Sequence, residues 1–156
     1  MLVTLDEMIK IRKKLKENSK SVVFTNGCFD LIHAGHIDYL LKSKSLGDIL
    51  IVGLNTDISI KKIKGETRPI ISQDQRAFVL SNIKPVDYVC FFDEETPERI
   101  ISELIPDILV KGSDWPIDKI VGRQIVESNG GKVVTIDFVN NQSTSNIIKI
   151  ILERHK

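Results

Sequence analysis

The order and texture of the apolar segments in this 156-residue chain point to an α/β fold. The expected architecture is a Rossmann-like, doubly wound parallel sheet of about five strands in a single domain. Two observations carry this. Strand-like and helix-like segments alternate along the chain, which is the pattern of crossover connections. The strand-like segments, such as "ILIVGLN" and "ILV", are unbroken runs of Val, Ile and Leu rather than alternating ones, as expected of strands covered on both faces.

Thr4 and Glu7 have capping-box spacing ahead of Leu5, Met8, Ile11 and Leu15, which predicts a first helix over 4–18. "SVVFT" reads as the first buried strand, and "AGHIDYLLKSKSLG" as a helix closed by Gly47. "DILIVGLN" is the second strand. A basic loop, "KKIKGETRP", then leads to a helix opened by a second capping box, Ser72 with Gln75. "VDYVCFF" is the third strand, and Thr96-Pro97 starts the helix "PERIISELI". "PDILVKG" is the fourth strand, followed by a helix from about Pro116 to Asn129. "KVVTID" is the fifth strand and "STSNIIKIILERH" the last helix. The domain division expected is an N-terminal helix, 1–18, and one α/β domain, 19–156.

Composition narrows the function by exclusion. A net charge of +1 gives no global attraction to nucleic acid or membrane, so an anion site must be local. Cys28 and Cys90 form no ligand pattern, which fits free thiols in a reducing cytoplasm. The N-terminus mixes charges without an apolar core, unlike a signal peptide, and no window has the length of a membrane span.

The chemistry concentrates in "FTNGCFDLIHAGH", residues 24–36. It follows a strand and opens a helix, at the sheet edge where doubly wound folds bind ligands. Helix-start N–H groups suit phosphate there, Gly35 lets it approach the backbone, and His33 and His36 are compact donors on one side of the first turn. A metal site using Cys28 or Asp30 has weaker spacing, because zinc helices favour i, i+4 pairs. A structural histidine pair is the plainer alternative. A GxGxxG run is missing from this turn, which argues against a dinucleotide-binding dehydrogenase.

Lys61, Lys62, Lys64, Arg68 and Arg76 cluster beyond the second strand; a solvated basic loop and a phosphate site both fit. In "LVKGSDW", Gly112 allows close approach, Asp114 suits a helix cap, and Trp115 either packs at a corner or covers a nucleobase. Ser143, Thr144 and Ser145 open the last helix, either as plain capping residues or as a second anion site.

"GCFDLIHAGH" resembles the HxGH signature of the nucleotidyltransferase superfamily, with the Gly-x-Phe-Asp lead-in of its cytidylyltransferase branch. The order "TNGCFD…HAGH…KGETRPI…QR…TPERII…PDILVKG…STSNIIK" is similar to the adenylyltransferase domain of the ADP-heptose synthases over nearly the whole chain after the first helix. Trp115 stands where that family often has tyrosine, and "SDW" leans toward glycerol-3-phosphate cytidylyltransferases. Ser145 replaces a common threonine.

The resemblance implies transfer of AMP from ATP to D-glycero-D-manno-heptose 1-phosphate, for lipopolysaccharide or surface-glycan precursors. Mg²⁺ would ride on the triphosphate. The roles implied are catalytic for His33, His36 and Arg76. Nucleotide binding falls to Thr25, Asn26, Gly27, Cys28, Phe29, Lys111, Gly112, Asp114, Ser143, Thr144 and Ser145. Lys61, Lys64 and Arg68 would bind substrate phosphate. A cytoplasmic enzyme is expected, with a separate sugar kinase, room for a homodimer, and no nucleic-acid or membrane partner. The alternatives are a CTP-dependent transferase of glycerol 3-phosphate or a similar alcohol phosphate, and a non-catalytic nucleotide-binding module.

Overall fold

In the computed structural model, which describes residues 1–137 and 143–155, six strands form one fully parallel sheet. The strands are β1 (Leu2–Val3), β2 (Val22–Gly27), β3 (Ile49–Asn55), β4 (Tyr88–Phe92), β5 (Ile108–Gly112) and β6 (Lys132–Ile136), in the order β1-β4-β3-β2-β5-β6. The helices are α1 (Leu5–Glu17), α2 (Ala34–Lys44), α3 (Asp57–Lys64), α4 (Gln73–Ser81), α5 (Glu98–Leu104), α6 (Arg123–Ser128) and α7 (Thr144–Arg154).

The continuous apolar runs are continuous because each strand feeds two cores. Val22 and Phe24 face one side with Met8 of α1, Ile100 and Ile101 of α5 and Val126 of α6. Val23 faces the other side with Leu50, Val52 and Leu54, against Tyr39 and Leu40 of α2 and Ala77 and Leu80 of α4. The chain leaves β2 toward β3 on one side and returns to place β5 on the other. The strand order therefore reverses at the carboxyl ends of β2 and β5, which is where such sheets open a ligand crevice.

Four expectations change. The sheet has six strands rather than about five, because two-residue β1 pairs Leu2 with Val89 and Val3 with Cys90 at the edge. The basic segment from Lys61 is helical as far as Lys64: Thr56 caps α3 by accepting from the Ser59 amide, and the lysines complement the helix's negative end. Ser72 makes no side-chain cap on α4, so that capping box is absent. Gln73 instead turns its Oε1 to the Asp57 amide at 2.9 Å, tying α4 to the start of α3. The helix expected over 116–129 is a 3-10 turn at Ile117–Lys119 and then α6, parted by Gly122 at φ 86°.

A Cβ at Gly122 would also lie 2.6 Å from Ile101 Cδ1. Left-handed strain and overpacking then add, so Gly122→Ala is expected to lower stability by about 2–3 kcal/mol. Chemical denaturation checks this through a lower midpoint at unchanged m-value.

The Thr4–Glu7 capping box forms as expected. Arg12 of α1 donates to the carbonyls of Leu104 and Ile105 at the end of α5 and pairs with Asp107 at 3.0 Å. Asp107 accepts from the Val22 amide at 2.7 Å. One buried guanidinium thus links the first helix to the ends of α5 and the start of β2. Among the described residues, no helix is long and apolar enough to cross a membrane.

Candidate active site

The crevice at the β2–β5 reversal is a cleft of about 550 Å³. Its β2 wall is Asn26, Gly27, Cys28, Phe29 and Asp30, and its β5 wall is Lys111, Gly112, Asp114 and Trp115. His36, Lys64, Arg68 and Thr144 reach it from α2, the end of α3, the loop beyond and α7.

The β2–α2 turn is held in a demanding shape. Phe29 and Leu31 have φ of 46° and 55°, a region bulky residues rarely occupy. A Cβ on Gly27 would sit 3.1 Å from the Phe29 ring. The turn persists because its neighbours fix it. Asp30 is 1 % exposed, and its carboxylate accepts from the amides of Ile70 and Ile71 and from Arg68 Nε, all within 3.0 Å. Burial raises its pKa, but these donors outweigh burial and hold it below the usual carboxylate range. Thr144 of α7 donates its hydroxyl to the Asp30 carbonyl.

His36 lines the cleft with its ring held by its neighbours. Its Nδ1 faces the His33 backbone N–H at 3.4 Å. That contact leaves Nε2 to carry the proton in the neutral ring. Burial, then the charges of His33 and Lys64, push its pKa down to about 4. His36 is therefore a neutral imidazole with an N–H to donate. Its ring is braced by His33 at a centroid distance of 4.0 Å and by Phe29 at 5.4 Å. The first amides of α2, at Ala34 and Gly35, precede the intrahelical ladder and lie beside it.

Lys111 brings charge from the other wall. Burial lowers its pKa to about 8 against the opposing influence of Asp114 and Cys28, so it is still an ammonium at neutral pH, and an anion seated beside it would strengthen its hold on the proton. Burial pushes the Cys28 thiol up despite nearby Lys64, Arg76 and Arg68, which leaves it protonated at neutral pH and a poor nucleophile. Among the described residues, no group of three or more His, Cys, Asp or Glu side chains converges to hold a metal ion.

Several residues assigned from the sequence stand elsewhere. His33 stacks on His36 but does not line the cleft, and its burial lowers its pKa. Thr25 is fully buried, with its hydroxyl 2.8 Å from that of Tyr39. Lys61 lies outside the cleft and pairs with Glu66 at 3.6 Å. Ser143 caps α7 through the Asn146 amide, and exposed Ser145 is not on the cleft wall.

Arg76 departs furthest from its expected role. It is 1 % exposed and donates to the carbonyls of Ile71, Cys28 and Asn55 and to Asp57 Oδ1, at 2.6–2.9 Å. With its fork spent on protein oxygens, Arg76 shapes the wall from behind and does not touch the cleft. Arg68 does line it, but with its charge shared with Asp30 at 2.8 Å.

The cleft also takes in residues the sequence reading did not assign: Asn55, Ile63, the Glu95–Pro97 stretch, Ile120 and Val121. Asn55 and Glu95–Pro97 follow from topology, since they end or follow strands at the ligand edge. Ile120 and Val121 were hidden inside the presumed helix over 116–129.

A family model described as cytidylyltransferase-like matches residues 24–150. The bifunctional protein HldE of Citrifermentans bemidjiense is 51 % identical over 97 % of this chain and 31 % of its own length. That of Geobacter sulfurreducens is 50 % identical over the same shares. The chain therefore spans about a third of the length of these curated relatives. Among solved structures, the lipopolysaccharide core biosynthesis protein from Thermoplasma volcanium is 30 % identical, with TM-score 0.64 over 79 % of this chain and 99 % of that one. Pantoate-beta-alanine ligase from Francisella tularensis, complexed with beta-gamma ATP and beta-alanine, has TM-score 0.65 at 15 % identity, over 100 % of this chain and 80 % of that one; this is a likeness of fold alone.

Proposed function

This chain belongs to the cytidylyltransferase-like family, and from that premise we propose that it transfers AMP from ATP to D-glycero-D-manno-heptose 1-phosphate, giving ADP-heptose and pyrophosphate. The observation that carries the reading is the neutral, braced His36 at the start of α2, in one cleft with Lys64 and Lys111. The "KGETRPI" and "PDILVKG" blocks and the half-identity to HldE proteins support the sugar phosphate as acceptor. Cytoplasmic location and a homodimer belong to the same proposal.

The reaction is an in-line displacement. An acceptor phosphate oxygen forms a bond to the α-phosphorus, the bond to the α–β bridging oxygen breaks, and the electron pair leaves with pyrophosphate. The acceptor oxygen is already anionic at neutral pH, so a general base is unnecessary. The protein's work is alignment and charge stabilisation. His36 donates to the phosphate that gains charge, Lys111 neutralises it from the β5 wall, and Lys64 with Arg68 meets the leaving pyrophosphate or the acceptor phosphate. Mg²⁺ bound to the triphosphate would supply further charge neutralisation; it commonly needs only one or two protein carboxylates, and of the cleft carboxylates Asp30 is already engaged by Arg68 and the Ile70 and Ile71 amides, which leaves Glu95 and Asp114.

The deciding experiment measures pyrophosphate release with Mg²⁺, crossing ATP and CTP against heptose 1-phosphate and glycerol 3-phosphate. Turnover with ATP and heptose 1-phosphate is expected. Turnover only with CTP and glycerol 3-phosphate would replace the substrates while keeping the chemistry, and ATP binding without turnover of any pair would favour a binding module.

Lys111 gives this cleft an expected basic limb. The free enzyme loses the Lys111 proton as pH rises through about 8, and the ammonium form binds the anion. kcat/KM for ATP should therefore fall above pH 8, approaching tenfold per unit. Lys111→Arg should move the limb out of range, because a guanidinium stays protonated. A flat wild-type profile to pH 9.5 would contradict the role.

A further inference from the structure

A second depression, of about 580 Å³, adjoins the cleft and shares Thr96, Ile120 and Val121 with it. It lies between the start of α5 and the 118–127 segment, and its remaining walls include Glu98, Asp118 and Gln124. We propose that this depression is the acceptor subsite, where these side chains read the hydroxyl groups of a polyhydroxylated sugar phosphate. The inference rests on the sugar-phosphate reading given above.

Three observations support it. In-line transfer requires both substrates to be bound together, and pockets of 300–1,000 Å³ typically each take a single small ligand. The two adjoining spaces, of about 550 and 580 Å³, match that need. The lining chemistry also divides. The first cleft holds the aromatic faces of Phe29, Tyr39 and Trp115 together with Lys64, Lys111 and His36, which suit a base and a polyphosphate. The depression has no aromatic residue, and Arg123 on its wall is already paired with Glu127 at 2.9 Å. Beside the exposed Lys119 ammonium, what it offers is carboxylate, amide and hydroxyl oxygens, acceptors for a ligand rich in O–H donors. Finally, the shared wall at Thr96 and Ile120–Val121 is where a sugar seated in the depression would pass its phosphate into the cleft.

Equilibrium binding of heptose 1-phosphate and of a non-hydrolysable ATP analogue would be measured on the wild type, Glu98→Ala, Gln124→Ala and the double variant, with melting temperatures to confirm folding. The double variant is expected to bind the sugar phosphate at least tenfold more weakly and the ATP analogue within about twofold of wild type. Failure of the wild type to bind heptose 1-phosphate would sink the function reading, and the subsite with it. Wild-type binding that the folded variants leave unchanged would overturn the subsite alone. Weakened binding of the ATP analogue instead would assign the depression to the nucleoside, and would equally overturn the proposal.

Discussion

Replacing His36 with alanine is expected to lower kcat by about 10²–10³-fold while the KM for ATP changes only a few-fold, the pattern of an interaction made chiefly in the transition state. The magnitude follows from the ring's preparation. Its proton sits on Nε2 because Nδ1 is occupied by the His33 amide, and two aromatic neighbours hold it in place before substrate arrives. With a pKa near 4 it is neutral throughout the neutral range, so it contributes no inflection to kcat/KM between pH 5 and 8. The same depression makes folding sensitive to acid. Between the unfolded value near 6.5 and the folded value near 4, the unfolded chain binds a proton that the folded ring refuses, so stability falls as pH drops through that window. His36→Gln, whose side-chain amide nitrogen reaches about as far as Nε2, should recover part of the lost turnover. His33→Ala should cost less than His36→Ala, because the brace is lost but the amide contact to Nδ1 is a backbone one. Single-turnover pyrophosphate release separates these effects from binding, and a His36→Ala enzyme with wild-type kcat would end the assignment.

The site was legible where the chemistry lies on contiguous residues. A buried run that stops at Asn26-Gly27 and resumes as a helix at Ala34 announces a strand, a ligand-facing turn and a helix start, and the histidines fall inside that stretch. The two-sided core was legible for the same reason, since Val22 to Thr25 and Leu50 to Leu54 have no polar alternation to suggest a solvent face. What the sequence concealed was mostly tertiary. β1 is two residues long, and only its pairing with β4 makes it a strand. Thr56 and Asp57 do have the form of a helix start, but the run of lysines behind them reads as a loop until Ile60 is seen to be buried. Gly122 did carry a local warning, as a glycine in the middle of a proposed helix.

The basic cluster illustrates the limit most sharply. Lys61, Lys64, Arg68 and Arg76 are equivalent as charges along the chain, yet the fold gives them four different fates. Lys61 is exposed beside Glu66, Lys64 lines the cleft, Arg68 divides itself between the cleft and Asp30, and Arg76 is sealed beneath the wall. Such differences are set by which carbonyls and carboxylates the topology brings within reach, and linear spacing does not encode them.

Arg76→Ala should accordingly reveal itself in stability as well as in rate. The substitution strips a donor from three carbonyls, those of Ile71, Cys28 and Asn55, and leaves Asp57 without its partner. Removing one member of such a buried charged network costs about 3–5 kcal/mol. For a domain of this size that lowers Tm by on the order of 10 °C. Arg76→Lys should rescue little, because one ammonium on a flexible stem cannot span oxygens that a planar fork reaches from several sides. Activity should fall in both variants at temperatures where they remain folded, since the Cys28 carbonyl and the end of β3 are the points from which the β2 wall is held. A guanidinium acting directly on phosphate would give the opposite pattern: a kcat loss with Tm unchanged. Calorimetry beside kinetics therefore decides between a positioning residue and a catalytic one, and a stable, inactive Arg76→Ala would return Arg76 to the cleft.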